Sequence, residues 1–423
     1  MRWLRRILIA LLAVTLLAIA GIWLTLRASL PQLDGAIAAP GLSAPANIER
    51  DALGTVIVTA ANRLDVSWAL GYVHAQERYF EMDLLRRRAA GELAELFGSV
   101  AVEADRGARV HRFRSRIGAY FAALAPDQRA QMQRYADGVN AGLGALSARS
   151  FPYLLLGQTP KPWSAEDCLL APLAMYFNLQ DSANERELKL ERMRASLPPQ
   201  TFAFLTAAGT EWDAPMLGVA VGDPAIPPAD EIDLRETELP DPPLDAPTSS
   251  EGIGSNNFAV AGTLTPHGGA IVANDMHLGL RVPNIWFRAE LRYPDAQGQP
   301  RAVTGVTLPG TPFLVIGSNR HIAWGFTNSY GDWLDFVELK LDPQDPQRYL
   351  TPEGWQTISE FSETIAVRGA ASEQLKVRET VFGPVVAQSS SGVPLALMWT
   401  AHYARGVNTG LAGLEGADSI EQA

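Results

Sequence analysis

The segment Gly252-Ile253-Gly254-Ser255-Asn256-Asn257-Phe258-Ala259-Val260-Ala261-Gly262 sets a serine between a glycine and the first residues of a strand. Glycine adopts backbone conformations closed to other residues. The Ser255 hydroxyl can therefore attack the Gly254 carbonyl, form an ester, and release a new N-terminus at Ser255 when that ester is hydrolysed. The freed α-amine has an ordinary pKa of about 7.7 to 8.0, so near neutral pH it can act as the base for its own hydroxyl. A histidine dyad is then unnecessary. No Gly-x-Ser-x-Gly elbow or Ser-x-x-Lys pair offers the alternative serine chemistry, and no His-Glu-x-x-His supports a zinc peptidase.

The residues after Ser255 read as a β-hairpin, turning through Thr263 to Gly269 (with Pro266, Gly268 and Gly269) onto Ala270 to Asn274. Pairing Gly262 with Ala270 sets Phe258 opposite Asn274 and Ser255 opposite His277. That register puts His277 beside the nucleophile, and a slip of one residue removes the expectation. A packing role for this histidine stays open.

Two motifs carry a resemblance. Ser255-Asn256-Asn257-Phe258-Ala259-Val260, followed by Asn274-Asp275-Met276-His277-Leu278, is similar to the start of the β-subunit in the penicillin acylase family. These are N-terminal-nucleophile hydrolases whose β-subunits begin Ser-Asn. Gly71-Tyr72-Val73-His74-Ala75-Gln76-Glu77-Arg78-Tyr79-Phe80-Glu81-Met82-Asp83 resembles the family's α-subunit helix, and the resemblance runs from about Ile48 to the chain end. It implies an α+β fold, the αββα four-layer sandwich. It also implies autocatalytic removal of a spacer after cleavage at Gly254-Ser255, leaving an α/β heterodimer from one precursor.

The resemblance implies further sites. Trp324-Gly325-Phe326-Thr327-Asn328 resembles the family loop whose backbone N–H serves the oxyanion hole, and the matching position is Asn328. Its side chain can equally be a turn former. Asp332, the Leu334 carbonyl and Asp335 look like the family's calcium-binding turn, joined by Glu185. Oxygen ligands of this kind suit Ca²⁺, and ordinary surface acids are the alternative. Leu179 and Phe326 match substrate-pocket positions, with core packing the alternative for Leu179. The family's second oxyanion donor and remaining calcium ligands would fall beyond Ala423, so the chain is expected to continue further.

The elements that must hold these residues come in two textures. A β-branched strand, Gly54 to Thr59, precedes a helix with Asp65 as its cap, running through Leu85 to the basic cluster Arg86-Arg87-Arg88. A second helical block spans Pro126 to Leu146. A third starts at Pro162-Trp163-Ser164, with Ser164 capping and Asp167 at the capping-box position. It is expected to continue past Tyr176 into the charged stretch Glu185 to Arg194. Proline and acidic residues then dominate to Ser250, which reads as an extended linker. Strands are expected at Phe258 to Ala261, Ala270 to Asn274, Trp286 to Tyr293, Ala302 to Thr307, Phe313 to Ile316 and Ile322 to Phe326. The organisation is therefore residues 1–30 as an export segment, 31–220 as a mostly helical α region, 221–254 as spacer, and 255–423 as the start of the β region.

Arg2, Arg5 and Arg6 precede an uncharged run, Ile7 to Leu26, of 20 residues. This is near the minimum for a bilayer core of about 30 Å. Positive charge at the start stays cytoplasmic, so an exported, periplasmic protein is expected, either cleaved after Ala18-Ile19-Ala20 or anchored in the inner membrane by residues 7–26. A net charge of −11 with pI near 5.1 argues against nucleic acid. The single cysteine, Cys168, forms no internal disulfide and reads as buried packing. The function expected is hydrolysis of a small-molecule N-acyl amide, penicillin-like or related, with no organic cofactor. The alternatives are an acyl-homoserine lactone acylase of the same family and an unprocessed, membrane-tethered binding protein.

Overall fold

A computed structural model describes residues 2–215, 217–233, 255–328 and 331–423. Gly254 and most of the spacer lie outside the described residues. The part that is described, 221–233, holds no helix or strand, and its Glu231 accepts hydrogen bonds from the Thr201 N–H and hydroxyl.

The long helix Arg63–Ala90 is the spine of the α region. Asn62 caps it by accepting from the Asp65 N–H at 2.9 Å. Asp65 is not the cap: it is buried, and its carboxylate accepts from the Ser43 backbone and hydroxyl instead. Gly91, in the left-handed region at φ 67°, ends the helix by donating to the Arg87 carbonyl. The helix is buried on most of its circumference rather than along one stripe, as a central helix is. Gly138 and Gly142 of the helix Pro126–Ala145 pack directly on the Trp68 and Tyr72 carbonyls. A side chain at any of Gly71, Gly138 or Gly142 would collide with the opposing backbone.

Two arginines of the basic cluster lie in the core. Arg86 and Arg87 are buried and share Asp83, at 2.7 and 2.9 Å. Asp167 lies between Arg86 and Arg114, at 2.7 Å from each. Burial alone would raise the Asp167 pKa, but the two guanidiniums hold it below the ordinary carboxylate range. Asp167 accepts from the Ser164 N–H at 2.9 Å, one half of a capping box, but Ser164 is not the cap: the helix starts at Asp167 after Glu166, with no side-chain cap hydrogen bond. The third helix, Asp167–Leu179, stops at Gln180, and Glu185–Ser196 is a separate helix entered through Asn184 at φ 52°.

The two halves of the chain share one sheet. Val56–Thr59, from before the spacer, lies parallel to Phe287–Pro294, from after it, with Val56 opposite Ala289 and Val58 opposite Leu291. All four of those side chains are fully buried. Asn47–Arg50, Pro300–Thr307, Leu314–Ser318 and Ala323–Trp324 complete six strands. Buried His74 ties the spine helix to this sheet. The Gly310 N–H donates to the Tyr135 hydroxyl, Tyr135 lies 2.6 Å from His74 Nδ1, and His74 Nε2 lies 2.9 Å from the Thr307 hydroxyl. The Thr307 hydroxyl in turn reaches the Phe287 carbonyl. Every group in that chain is satisfied by a neutral His74 that accepts at Nδ1 and donates from Nε2.

A five-stranded antiparallel sheet follows, in the order Ser359–Ile365, Glu373–Thr380, Gly383–Gln388, Pro394–Trp399, Leu334–Glu338. Arg112 of the α region reaches across to Glu363 and Glu379 on its strands. At the other end of the chain, Arg2–Ala28 is one uninterrupted helix, long and apolar enough to cross a membrane and with no buried residue.

Candidate active site

Ser255 stands at the mouth of a two-stranded hairpin, Asn256–Val260 paired with Ile271–Asp275. The observed register sets Asn256 opposite Asp275 and Phe258 opposite Ala273, one residue away from the sequence expectation. The connection explains the slip. Gly262 is not a strand residue but opens a 3-10 turn, Gly262–Leu264, and the ladder begins at Val260 and Ile271. The Ser255 hydroxyl consequently donates to the Met276 carbonyl at 3.1 Å, and His277 does not stand opposite it. His277 has turned into the left-handed region at φ 44°, with Nε2 against the Asp275 carboxylate at 2.7 Å.

A cavity of about 630 Å³ opens beside the serine, and Ser255, Leu179, Phe326 and Asn328 all line it. Four of the expected site residues therefore meet in one place, from both sides of the spacer. The remaining wall is largely apolar, with Tyr176, Met276, Trp286 and Phe313 among it. Burial raises the pKa of Tyr176, whose hydroxyl donates to the Gly406 carbonyl at 3.0 Å. No Asp, Glu, Lys, Arg or His side chain lines the cavity among the described residues. Leu179 serves both of its readings, because it lines the cavity and packs against the main core.

The loop carrying Asn328 is held at both ends. Its side-chain Nδ2 donates to the Leu179 carbonyl at 3.2 Å, which satisfies a terminal carbonyl of the helix Asp167–Leu179. At the loop's start, Asn257 donates to the Gly325 carbonyl, and Asn274 bonds both the N–H and the carbonyl of Phe326. Sequence reading assigned these two asparagines no role, although their places in the motif were visible. Gln180 beside Leu179 was missed too: it accepts from Trp399 Nε1 at 2.8 Å and fastens the helix end to the five-stranded sheet.

The acidic group differs from expectation by one residue. Glu187, Asp332 and Asp335 bring one oxygen each to within 4.8 Å of one another. Glu185 is not among them; it is exposed and faces Lys189 at 3.8 Å on its own helix. Entering that helix at Asn184 sets its phase, and Asn184 Nδ2 donates to Glu187 Oε2 at 2.6 Å. Leu334 begins the strand Leu334–Glu338 and is paired with Trp399. A set of carboxylate oxygens alone suits a hard cation such as Ca²⁺.

A model of the penicillin amidase family matches residues 45–423. Among curated proteins, the chain is similar to penicillin acylase 2 proenzyme of Pseudomonas sp. (strain SE83), with 32% identity over 86% of this chain and 46% of that protein. It is also similar to acyl-homoserine lactone acylase QuiP of Pseudomonas aeruginosa, with 31% identity over 88% of this chain and 44% of that protein. The chain thus spans just under half the length of these relatives. A solved structure of the thermostable penicillin G acylase from Alcaligenes faecalis aligns with 26% identity and a TM-score of 0.35, over 43% of this chain and 98% of the other.

Proposed function

The chain belongs to the penicillin amidase family, and from that premise we propose that, within the complete protein, it forms an acylase that hydrolyses N-acyl amides through an ester on Ser255. The observation that carries this reading is the shared cavity in which Ser255, at the start of its hairpin, meets Leu179, Phe326 and Asn328. Cleavage between Gly254 and Ser255 frees the α-amine. That amine takes the hydroxyl proton as Oγ attacks the acyl carbonyl, and returns it to the departing amine. The Asn328 backbone N–H faces the oxyanion, a contribution of about 10²- to 10³-fold in rate for a donor of this kind. Water then hydrolyses the acyl ester with the same base. His277 neighbours the serine through the Met276 carbonyl and does not act as its base.

The six-stranded sheet and the helices packed on it are proposed to belong to an αββα sandwich. The buried strand pairing across the spacer would hold the two chains together after cleavage. Glu187, Asp332 and Asp335 would hold Ca²⁺, which would neutralise their mutual repulsion and tie the helix Glu185–Ser196 to the loop before Leu334. The apolar N-terminal helix serves export to the periplasm, as a signal peptide or an anchor.

The uncharged wall favours an uncharged acyl group. A carboxylate-tipped chain would lose its hydration without gaining a cationic partner. Two substrates fit: an aromatic acyl group of the penicillin type, and the aliphatic chain of an acyl-homoserine lactone. The test uses the complete protein on phenylacetyl, hexanoyl, decanoyl and glutaryl amides of one amine. Cleavage of uncharged acyl groups, with glutaryl at least about tenfold slower and no turnover in Ser255→Ala, is the expected result. Undiminished activity in Ser255→Ala contradicts the proposal.

A further inference from the structure

The nucleophile and the loop carrying Asn328 sit on separate elements, and two side chains join them. Asn257 and Asn274 are cross-strand partners in the Ser255 hairpin. Residues directly opposite each other in an antiparallel pair project to the same face, and here both reach the same dipeptide. Asn257 Nδ2 donates to the Gly325 carbonyl at 2.7 Å. Asn274 Nδ2 donates to the Phe326 carbonyl at 3.0 Å, while its Oδ1 accepts from the Phe326 N–H at 3.1 Å. The same Nδ2 also donates to the Asn256 carbonyl at 3.0 Å, next to Ser255. The approach is close enough that a Cβ on Gly325 would lie 3.0 Å from the Asn274 Cβ.

Resting on the hydrolase reading above, we propose that Asn274, seconded by Asn257, is the positioning residue that sets the distance between Ser255 and the oxyanion-binding backbone at Asn328. Its amide has the functionality the task needs: one acceptor and two donors, satisfied by three backbone groups on two elements. Asn328 is pinned independently to Leu179 on the far side. Losing Asn274 therefore frees the near end of the loop without releasing the far end. A displacement of about 1 Å at such a site can cost about 100-fold in rate.

The experiment compares the complete wild-type enzyme with Asn274→Ala, Asn274→Asp and Asn257→Ala. Two quantities are read: kcat and KM on an uncharged acyl amide, and hydrogen exchange of the 325–328 backbone. Asn274→Ala is expected to lower kcat by about 10- to 100-fold with KM within about twofold, and to speed exchange at Phe326. Asn257→Ala gives a smaller loss. Asn274→Asp regains part of the rate relative to wild type as pH falls, because only the protonated carboxyl, with its single O–H, can donate to the Phe326 carbonyl. Unchanged kcat in Asn274→Ala, or unchanged exchange at Phe326, overturns the proposal. A wild-type enzyme that cleaves no amide overturns the hydrolase reading instead, and the exchange measurement then decides whether the clamp exists.

Discussion

Acid should weaken this fold through its buried histidines, and His74 shows how. Burial, with a smaller contribution from Arg78, pushes its pKa from 6.5 down to about 3. The hydrogen bonds give the reason. A cationic His74 would donate from both nitrogens, and the Tyr135 hydroxyl, already accepting from the Gly310 N–H, would lose its acceptor. The unfolded chain binds a proton near pH 6.5 while the folded chain does not, so the stabilisation is complete above that pH and is lost progressively as pH falls toward 3. Between pH 8 and 5 the loss is about 2 kcal/mol, the slope approaching about 1.36 kcal/mol per pH unit below pH 6.5. His111 and His402 add to it, with burial pushing their pKa values to about 3 and about 2. Their ring nitrogens lie 3.0 Å apart, so the two cannot both be charged there. Urea unfolding of the complete protein at half-unit steps from pH 8 to 5 measures the slope. His74→Gln should lower stability at pH 8 and also flatten the acid slope by about one histidine's share. An equal slope in the variant would refute the argument.

Two further predictions concern packing and the acidic group. Gly138→Ala forces a methyl into the Trp68 carbonyl and should cost about 2 kcal/mol or more, since overpacking against backbone outweighs the helix propensity of about 1 kcal/mol gained. Gly118→Ala, on an open helix face, should gain up to about 1 kcal/mol; thermal unfolding of both variants checks the opposite signs. Chelation with EDTA should lower the melting temperature of the complete protein, and Glu187→Gln should abolish that sensitivity while Glu185→Gln leaves it intact.

What the sequence made legible was chemistry fixed by local order. Ser255 was legible from the glycine before it and the strand after it, whereas Asn328, Leu179 and Phe326 were placed by the resemblance; all four line one cavity. What it hid was phase. The hairpin register depends on where a ten-residue connection leaves the ladder, and side-chain alternation does not fix that point; one residue of slip replaced His277 with the Met276 carbonyl. Likewise the rotation of the helix entered at Asn184 selected Glu187 over Glu185. The burial of Arg86 and Arg87 was not legible because composition carries no record of Asp83 and Asp167 packed against them in the core. The five-stranded sheet went unread because its strands mix charged with apolar residues and carry no motif.

The account turns on a serine that becomes a chain terminus. Intact-mass analysis of the mature, active protein should find one chain beginning at Ser255 with a free α-amine, and Ser255→Ala should leave a single uncut chain. An active protein in which Gly254 and Ser255 are still joined by a peptide bond would contradict it.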